Sequence, residues 1–334
     1  MLVDAGLEIS VVGSFTRLGP AVRRQLFGWS PPPPGALTGR TVLVTGPTSG
    51  LGRAATDALA GLGARVILVG RSEERLMHLR DELVRAHGED RFLIVVADMG
   101  SLASVRGAVA RVLATESRLD VLVDNAGAIY PERVEGPDGI EATLALMVVG
   151  PFALVGGLHP LLRRTAGSRV IAVTSGGMYS QRLDLADLQN RAATYSGSRA
   201  YARAKRAQTA LMREWARRLA GTGVSFAAMH PGWADTPGLA ESLPGFYQLM
   251  RPLLRLPDEG ADTIVWLAVH PEPASRSGRL YLDRRTRPFD RIPTTRLSAA
   301  DRRRLWDAVV RLSGAPDPVP DRAPDPVPDP SPAA

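Results

Sequence analysis

The sequence has no cysteine, which excludes disulfides and thiolate chemistry and leaves the compartment undecided on that ground. Its five histidines, His78, His87, His159, His230 and His270, are scattered without metal-ligand spacing. Metal-dependent hydrolysis is set aside, and no metal site is expected. Long apolar runs are scarce as well. Leu144–Leu158 is apolar nearly all round, but it is shorter than the roughly 20 residues of a spanning helix. It also carries Gly150, Pro151, Gly156 and Gly157, so a helix buried on most sides is the better reading. The first residues lack the basic start, compact apolar run and cleavage site of a secretory signal.

Lysine is almost absent. Of 41 cationic side chains, Lys205 is the only lysine. A composition that puts arginine everywhere else marks Lys205 as a position needing a primary ammonium, which a planar guanidinium does not imitate. The net charge of +7 invites a nucleic-acid reading. The arginines are spread along the chain, however, densest from Arg276 to Arg311, without zinc-finger, basic-zipper or RNA-recognition spacing. A solvated surface and no nucleic-acid partner are expected.

What is present is an ordinary globular balance, 45% hydrophobic and 22% charged over 334 residues. From Arg40, apolar runs at Thr41–Val44, Arg65–Val69, Phe92–Val96, Leu119–Val123, Val170–Val173 and Val224–Ala228 have the length of buried parallel strands. Amphipathic stretches such as Leu51–Leu62, Glu73–His87 and Ser101–Thr115 lie between them. Strand and helix alternating in this way predict an α/β fold, a Rossmann-type doubly wound parallel sheet, in one domain over residues 40–313.

Residues 1–39 read as an N-terminal extension. Phe15, Val22, Leu26, Phe27 and Trp29 interleave with Arg17, Arg23 and Arg24, ahead of a proline run from Pro31 to Pro34. Such a basic amphipathic segment either lies on a membrane surface through residues 15–29 or packs on its own domain. Both readings stay open. Residues 314–334, with repeated Pro-Asp-Pro-Val units, are expected to be disordered.

The turn after the first strand reads Thr45-Gly46-Pro47-Thr48-Ser49-Gly50-Leu51-Gly52 and leads into a helix. Glycines there let the backbone approach a pyrophosphate, and the helix N-terminus supplies N–H donors. The second strand ends Val69-Gly70-Arg71-Ser72, without the acid that would hold a ribose 2′-hydroxyl. Arg71 and Ser72 suit a 2′-phosphate instead, so NADP(H) is favoured over NAD(H). Asp98, after the third strand, is placed either for an adenine amino group or as a helix N-cap. Further on, Tyr201 and Lys205 stand four apart on one helix face, where a nearby ammonium favours the phenolate.

Gly46/Gly50/Gly52, Asn125-Ala126-Gly127, Ser175, Tyr201/Lys205 and Pro231-Gly232 with Thr236 follow one another as in short-chain dehydrogenases/reductases. The chain resembles that family over residues 40–270. Thr174–Met178 and Met229–Gly238 are similar to its dehydrogenase/reductase member 12 subgroup. The resemblance implies a hydride transfer between nicotinamide and a lipophilic alcohol or carbonyl. Tyr201 would be the general acid/base, Ser175 would bond the substrate oxygen, and Lys205 would hold the nicotinamide ribose and lower the Tyr201 pKa. Asn125 and Gly127 would stabilise the sheet beside the cofactor, and Thr236 would contact the carboxamide. Implied cofactor contacts are Gly46, Thr48, Ser49, Gly50, Leu51, Gly52, Arg71, Ser72, Asp98, Met99, Asn125, Ala126, Gly127, Tyr201, Lys205, Pro231, Gly232, Trp233 and Thr236. Ser175 also suits a plain strand-end cap. The family further implies a cytoplasmic protein, a small-molecule substrate and a homo-oligomer.

One position departs from the pattern. Most members carry an asparagine in the helix after the fourth strand that positions a relay water, and the aligned residue here is Met147. No asparagine occurs between Asn125 and Asn190. A thioether donates no hydrogen bond, so a cofactor-binding sensor with weakened or absent catalysis is the alternative function. Specificity is expected from Tyr130–Asp138, Met178–Ser198 and Pro237–Leu256, where Phe246, Tyr247, Met250 and Leu253 suit either an apolar lid or plain core.

Overall fold

The six apolar runs lie side by side in one sheet. In a computed structural model, which describes residues 2–88, 91–192 and 194–319, they form β1 Thr41–Thr45, β2 Arg65–Gly70, β3 Phe92–Val96, β4 Val121–Asp124, β5 Arg169–Val173 and β6 Ser225–Met229. Every residue of β1, β4 and β6 is buried, which is why these strands read as unbroken apolar runs rather than alternating ones. Successive residues still face opposite layers. Leu43 of β1 packs into one core, while Val42 and Val44 pack into the other.

Two further strands, β7 Arg279–Leu282 and β8 Arg285–Arg287, complete an eight-stranded sheet of order β3-β2-β1-β4-β5-β6-β7-β8. The strands are parallel through β7, and β8 returns antiparallel. Sequence reading missed this hairpin, because four of its residues are arginines and its apolar run, Leu280–Leu282, is only three residues long. Its turn residues Asp283 and Arg284 both have positive φ, 52° and 59°, as a two-residue hairpin loop requires. Arg284 is held there by its ion pair with Asp262 at 2.6 Å. The strand order reverses between β1 and β4, so the ends of these two strands open the crevice in which this architecture binds ligands.

The apolar run at 144–158 extends to a continuous helical stretch Ala142–Arg164, 23 residues long, which corrects the expectation that it is too short to cross a membrane. By length and composition it could span, but 67% of its apolar window is buried inside the protein. Within it, Ala145–Val149 form a π turn just ahead of Pro151, which has no N–H to give. Phe152 from this helix meets Trp215 at 5.2 Å and Trp306 at 4.8 Å. Such pairs add about 0.5–1.5 kcal/mol beyond the area they bury, and these fasten helix Ala299–Ser313 to the sheet layer.

Of the two readings left open for the N-terminal segment, packing on its own domain is seen: helices Leu2–Ile9, Val11–Phe15 and Leu18–Leu26 pack on the same chain. Phe15 is buried, and Phe27 and Trp29 lie under the guanidinium groups of Arg285 and Arg284 at 4.1 and 4.7 Å. At the other end, residues 314–319 are ordered rather than disordered as expected. Asp317 accepts from the Trp306 indole at 3.1 Å, and Arg218 donates to the Val319 carbonyl at 2.7 Å. The remaining tail, 320–334, lies outside the described residues.

Candidate active site

Thr45 at the end of β1 organises the glycine turn. Its hydroxyl accepts the N–H groups of Asn125 (2.9 Å) and Ala126 (3.0 Å). The Asn125 amide answers by donating to the carbonyls of Thr45 (2.9 Å) and Gly46 (3.1 Å). These bonds stitch β1 to β4 where the strand order reverses. Gly46 and Gly50 take φ of 65° and 52°, a region L side chains rarely enter. A Cβ on Gly52 would stand 2.1 Å from the Gly46 carbonyl oxygen and 2.4 Å from the Asn125 amide nitrogen. Ser49 starts helix Gly50–Gly61 without a side-chain cap bond, so that helix end presents its first N–H groups uncapped. This is a cradle that fits the pyrophosphate of a nicotinamide dinucleotide.

Around the cradle, the remaining expected cofactor residues divide. Arg71 is exposed and makes no hydrogen bond or ion pair among the described residues. Ser72 caps helix Glu73–His87, accepting from the Arg75 N–H at 3.3 Å. The N-cap role considered for Asp98 falls to Ser101, while Asp98 accepts from the Gly100 N–H at 2.8 Å. Met99 is buried, and its carbonyl lies where a Gly150 side chain would be. Leu51 packs against Gly260, and Thr48 is half-buried in the turn. Pro231 and Gly232 follow β6, and Trp233 stacks edge-on with Phe246 of the lid at 5.1 Å. Thr236 caps helix Pro237–Ser242 and lays its methyl group beside Gly50. The lid helices Pro237–Ser242 and Pro244–Met250 bury no residue fully.

Ser175, Tyr201 and Lys205 converge at the end of β5. The Ser175 hydroxyl accepts from the Gly177 N–H at 3.2 Å, so it caps a short 3₁₀ turn, Gly176–Ser180, as well as facing Tyr201. Burial pushes the Tyr201 phenol up to about 12, with the Ser175 hydroxyl pulling the other way. This corrects the expectation that Lys205 lowers it. The Lys205 ammonium lies 5.8 Å from the Tyr201 ring centre and donates instead to the Val173 carbonyl at 2.7 Å and to Gln208 at 3.3 Å.

Two residues of this cluster were not expected. Asp124, at the end of β4, is buried and accepts from the Gln208 amide at 2.6 Å. Burial pushes its carboxyl up to about 6, against the attraction of Lys205. Lys205 in turn is brought down to about 8 by burial, against the attraction of Asp124. The only sequence signal was an acid ending an otherwise apolar strand, and Gln208 lies one helical turn beyond the lysine. Met147, the residue expected where the family pattern has its relay asparagine, lies on the π turn, and a Cβ on Gly127 would be 3.1 Å from its sulfur. A phenol, a hydroxyl and a buried ammonium at the crevice of a dinucleotide-type sheet can pass one proton to or from a carbonyl oxygen.

Comparison with known proteins agrees with this geometry. A family model described as short chain dehydrogenase matches residues 40–244. The chain is 36% identical over 250 residues to human Dehydrogenase/reductase SDR family member 12, covering 75% of this chain and 78% of that one. It is 36% identical over 307 residues to mouse Retinol dehydrogenase 14, covering 86% and 89%. Among solved structures, the RhlG/NADP active-site complex of Pseudomonas aeruginosa superposes with a TM-score of 0.61 at 27% identity, covering 74% of this chain and 96% of that one. The chain belongs to the short-chain dehydrogenase/reductase family and is an oxidoreductase with a nicotinamide cofactor.

Proposed function

We propose that the protein is an NADP(H)-dependent oxidoreductase of lipophilic alcohols or carbonyl compounds, with Tyr201 as the general acid/base. The observation that carries this is the meeting of Tyr201, Ser175 and the lone lysine, Lys205, at the switch-point crevice. When bound, the nicotinamide supplies or accepts the hydride. Tyr201, protonated across the neutral range, gives its proton to the carbonyl oxygen, and Ser175 holds that oxygen by a hydrogen bond. Lys205 holds the nicotinamide ribose and replaces the proton on Tyr201.

The preference for NADP(H) rests on Arg71, whose exposed guanidinium has no carboxylate partner among the described residues and suits a 2′-phosphate. Gly46, Gly50 and Gly52 take the pyrophosphate, while Asp98 and Met99 flank the adenine. Asn125, Ala126 and Gly127 brace the sheet beside the ring. Pro231, Gly232, Trp233 and Thr236 line its other side. A lipophilic substrate is supported by the half-buried Trp233–Phe246 pair and by Leu249, which is 76% exposed on the lid. We take residues 40–313 as the catalytic domain, in a cytoplasmic homo-oligomer. The N-terminal helices turn Val11, Val12, Leu18 and Leu26 to solvent, which favours peripheral contact with a membrane, checked by flotation with vesicles.

The test is NADPH oxidation against aldehydes, ketones and quinones, with Tyr201→Phe beside the wild type. Turnover that disappears in the variant supports the proposal. Met147 favours a second reading, a cofactor-binding sensor, and NADPH binding without turnover in either protein would select it. No binding of NADPH would overturn both.

A further inference from the structure

Phe15 precedes the matched region, residues 40–244, yet it stands beside the catalytic serine. Its ring lies on Gly176, the residue after Ser175, so closely that a Cβ there would come within 2.3 Å of Phe15 Cε2. The same ring meets His230 at 4.7 Å and Trp233 at 5.7 Å, both edge-on. Its carbonyl accepts the Trp233 N–H at 2.8 Å and the Arg255 Nε–H at 3.0 Å. Two residues on, the Arg17 N–H donates to the Leu253 carbonyl at 3.0 Å. The loops that leave β5 and β6 are therefore tied to one residue of the N-terminal segment.

That segment is locked in place. Arg23 is fully buried and pairs with Asp4 (2.7 Å), Glu8 (2.6 Å) and Asp283. Arg255 pairs with the same Asp283 at 2.6 Å and donates to the Ser14 carbonyl at 2.6 Å. Arg287 reaches Asp4 at 3.0 Å. Taking the segment away would leave the buried Arg287 without Asp4 and Asp283 without Arg23, a costly arrangement. Phe15 is thus presented to the site by a fixed support and not by a loose arm.

We propose that Phe15 is a positioning residue of the substrate site, a wedge that fixes Ser175 relative to Trp233 and so sets where a carbonyl oxygen meets Ser175 and Tyr201. The inference rests on the oxidoreductase reading. The physical reason is local. The Ser175 hydroxyl is aimed by the turn Gly176–Ser180, and the first residue of that turn has Phe15 as its floor. A misplacement of about 1 Å at such a group can cost on the order of a hundredfold in rate.

A double-mutant cycle tests it, with wild-type turnover measured first. Phe15→Ala should lower kcat about tenfold and raise KM, with the dissociation constant of NADPH unchanged. Gly176→Ala alone should also lower kcat, because its methyl group meets the ring. Combining the two should restore most of the loss, since the methyl occupies space the ring has left. Hydrogen exchange supplies a readout without turnover: Phe15→Ala should speed exchange at residues 174–178 and 232–236. If the alanine variant does not fold, Phe15→Leu carries the same cycle with most of the buried volume kept. Additive effects, or unchanged exchange, would overturn the wedge. Absent turnover in the wild type would count against the oxidoreductase reading instead.

Discussion

Met147 and Lys205 converge on one point of the backbone: a methyl group on Gly127 would lie 3.1 Å from the Met147 sulfur and 3.6 Å from the Lys205 ammonium nitrogen. The thioether therefore stands close to the Lys205 ammonium across Gly127. It accepts hydrogen bonds only weakly and donates none.

Met147→Asn should accordingly raise kcat, by up to about tenfold if proton resupply limits turnover. The same change puts a polar amide in a fully buried place and should cost about 1–3 kcal/mol where its bonds go unmade. Turnover at saturating NADPH and a denaturant midpoint check the two effects. An unchanged kcat would mean the proton reaches Tyr201 by another route.

The Asp124–Gln208–Lys205 chain sets a pH dependence. Lys205, brought down to about 8 by burial, should lose its proton as pH rises through that value, and kcat/KM should fall with it. Asp124→Asn removes the carboxylate that holds the ammonium, so the fall should move to lower pH. The stability signs follow from which state binds more protons. Asp124, pushed up to about 6 from an ordinary 3.8, makes stability decline as pH rises across that window. Lys205, down from 10.5 to about 8, makes stability rise as pH climbs between those values. Thermal melts of wild type and Asp124→Asn at pH 4, 6, 8 and 10 check both slopes.

Arg71→Ala should weaken NADPH binding by about ten- to a hundredfold, the worth of a hydrogen bond to a charged group. NADH binding should barely change. Titration of both nucleotides by fluorescence separates the cases, and an equal loss for both would place Arg71 elsewhere than at a 2′-phosphate.

Gly52→Ala should abolish dinucleotide binding and cost about 1–3 kcal/mol of stability. The added methyl meets the Gly46 carbonyl and the Asn125 amide, both parts of the β1–β4 stitch rather than flexible side-chain ends. Wild-type affinity in this variant would contradict the cradle.

How far the sequence carries depends on the range of the interaction involved. The inner strands were legible because burial on both faces leaves an uninterrupted apolar run, a local signature. The glycine turn and the Tyr201/Lys205 pair were legible because their spacing is fixed by a single turn or helix. β7 and β8 were not, since arginines there are paid for by partners far away, Arg287 by Asp4 and Arg284 by Asp262.

The sequence by itself determined the family, the α/β alternation and the identity of the chemical groups, because each follows from residue type and near-neighbour spacing. Only the tertiary structure decided that the N-terminal segment packs on the domain and puts Phe15 under Gly176. It alone decided that Lys205 faces Asp124 through Gln208, and that burial rather than the lysine governs Tyr201. These are matters of desolvation and of contacts between distant parts of the chain, and neither quantity exists until the chain is folded.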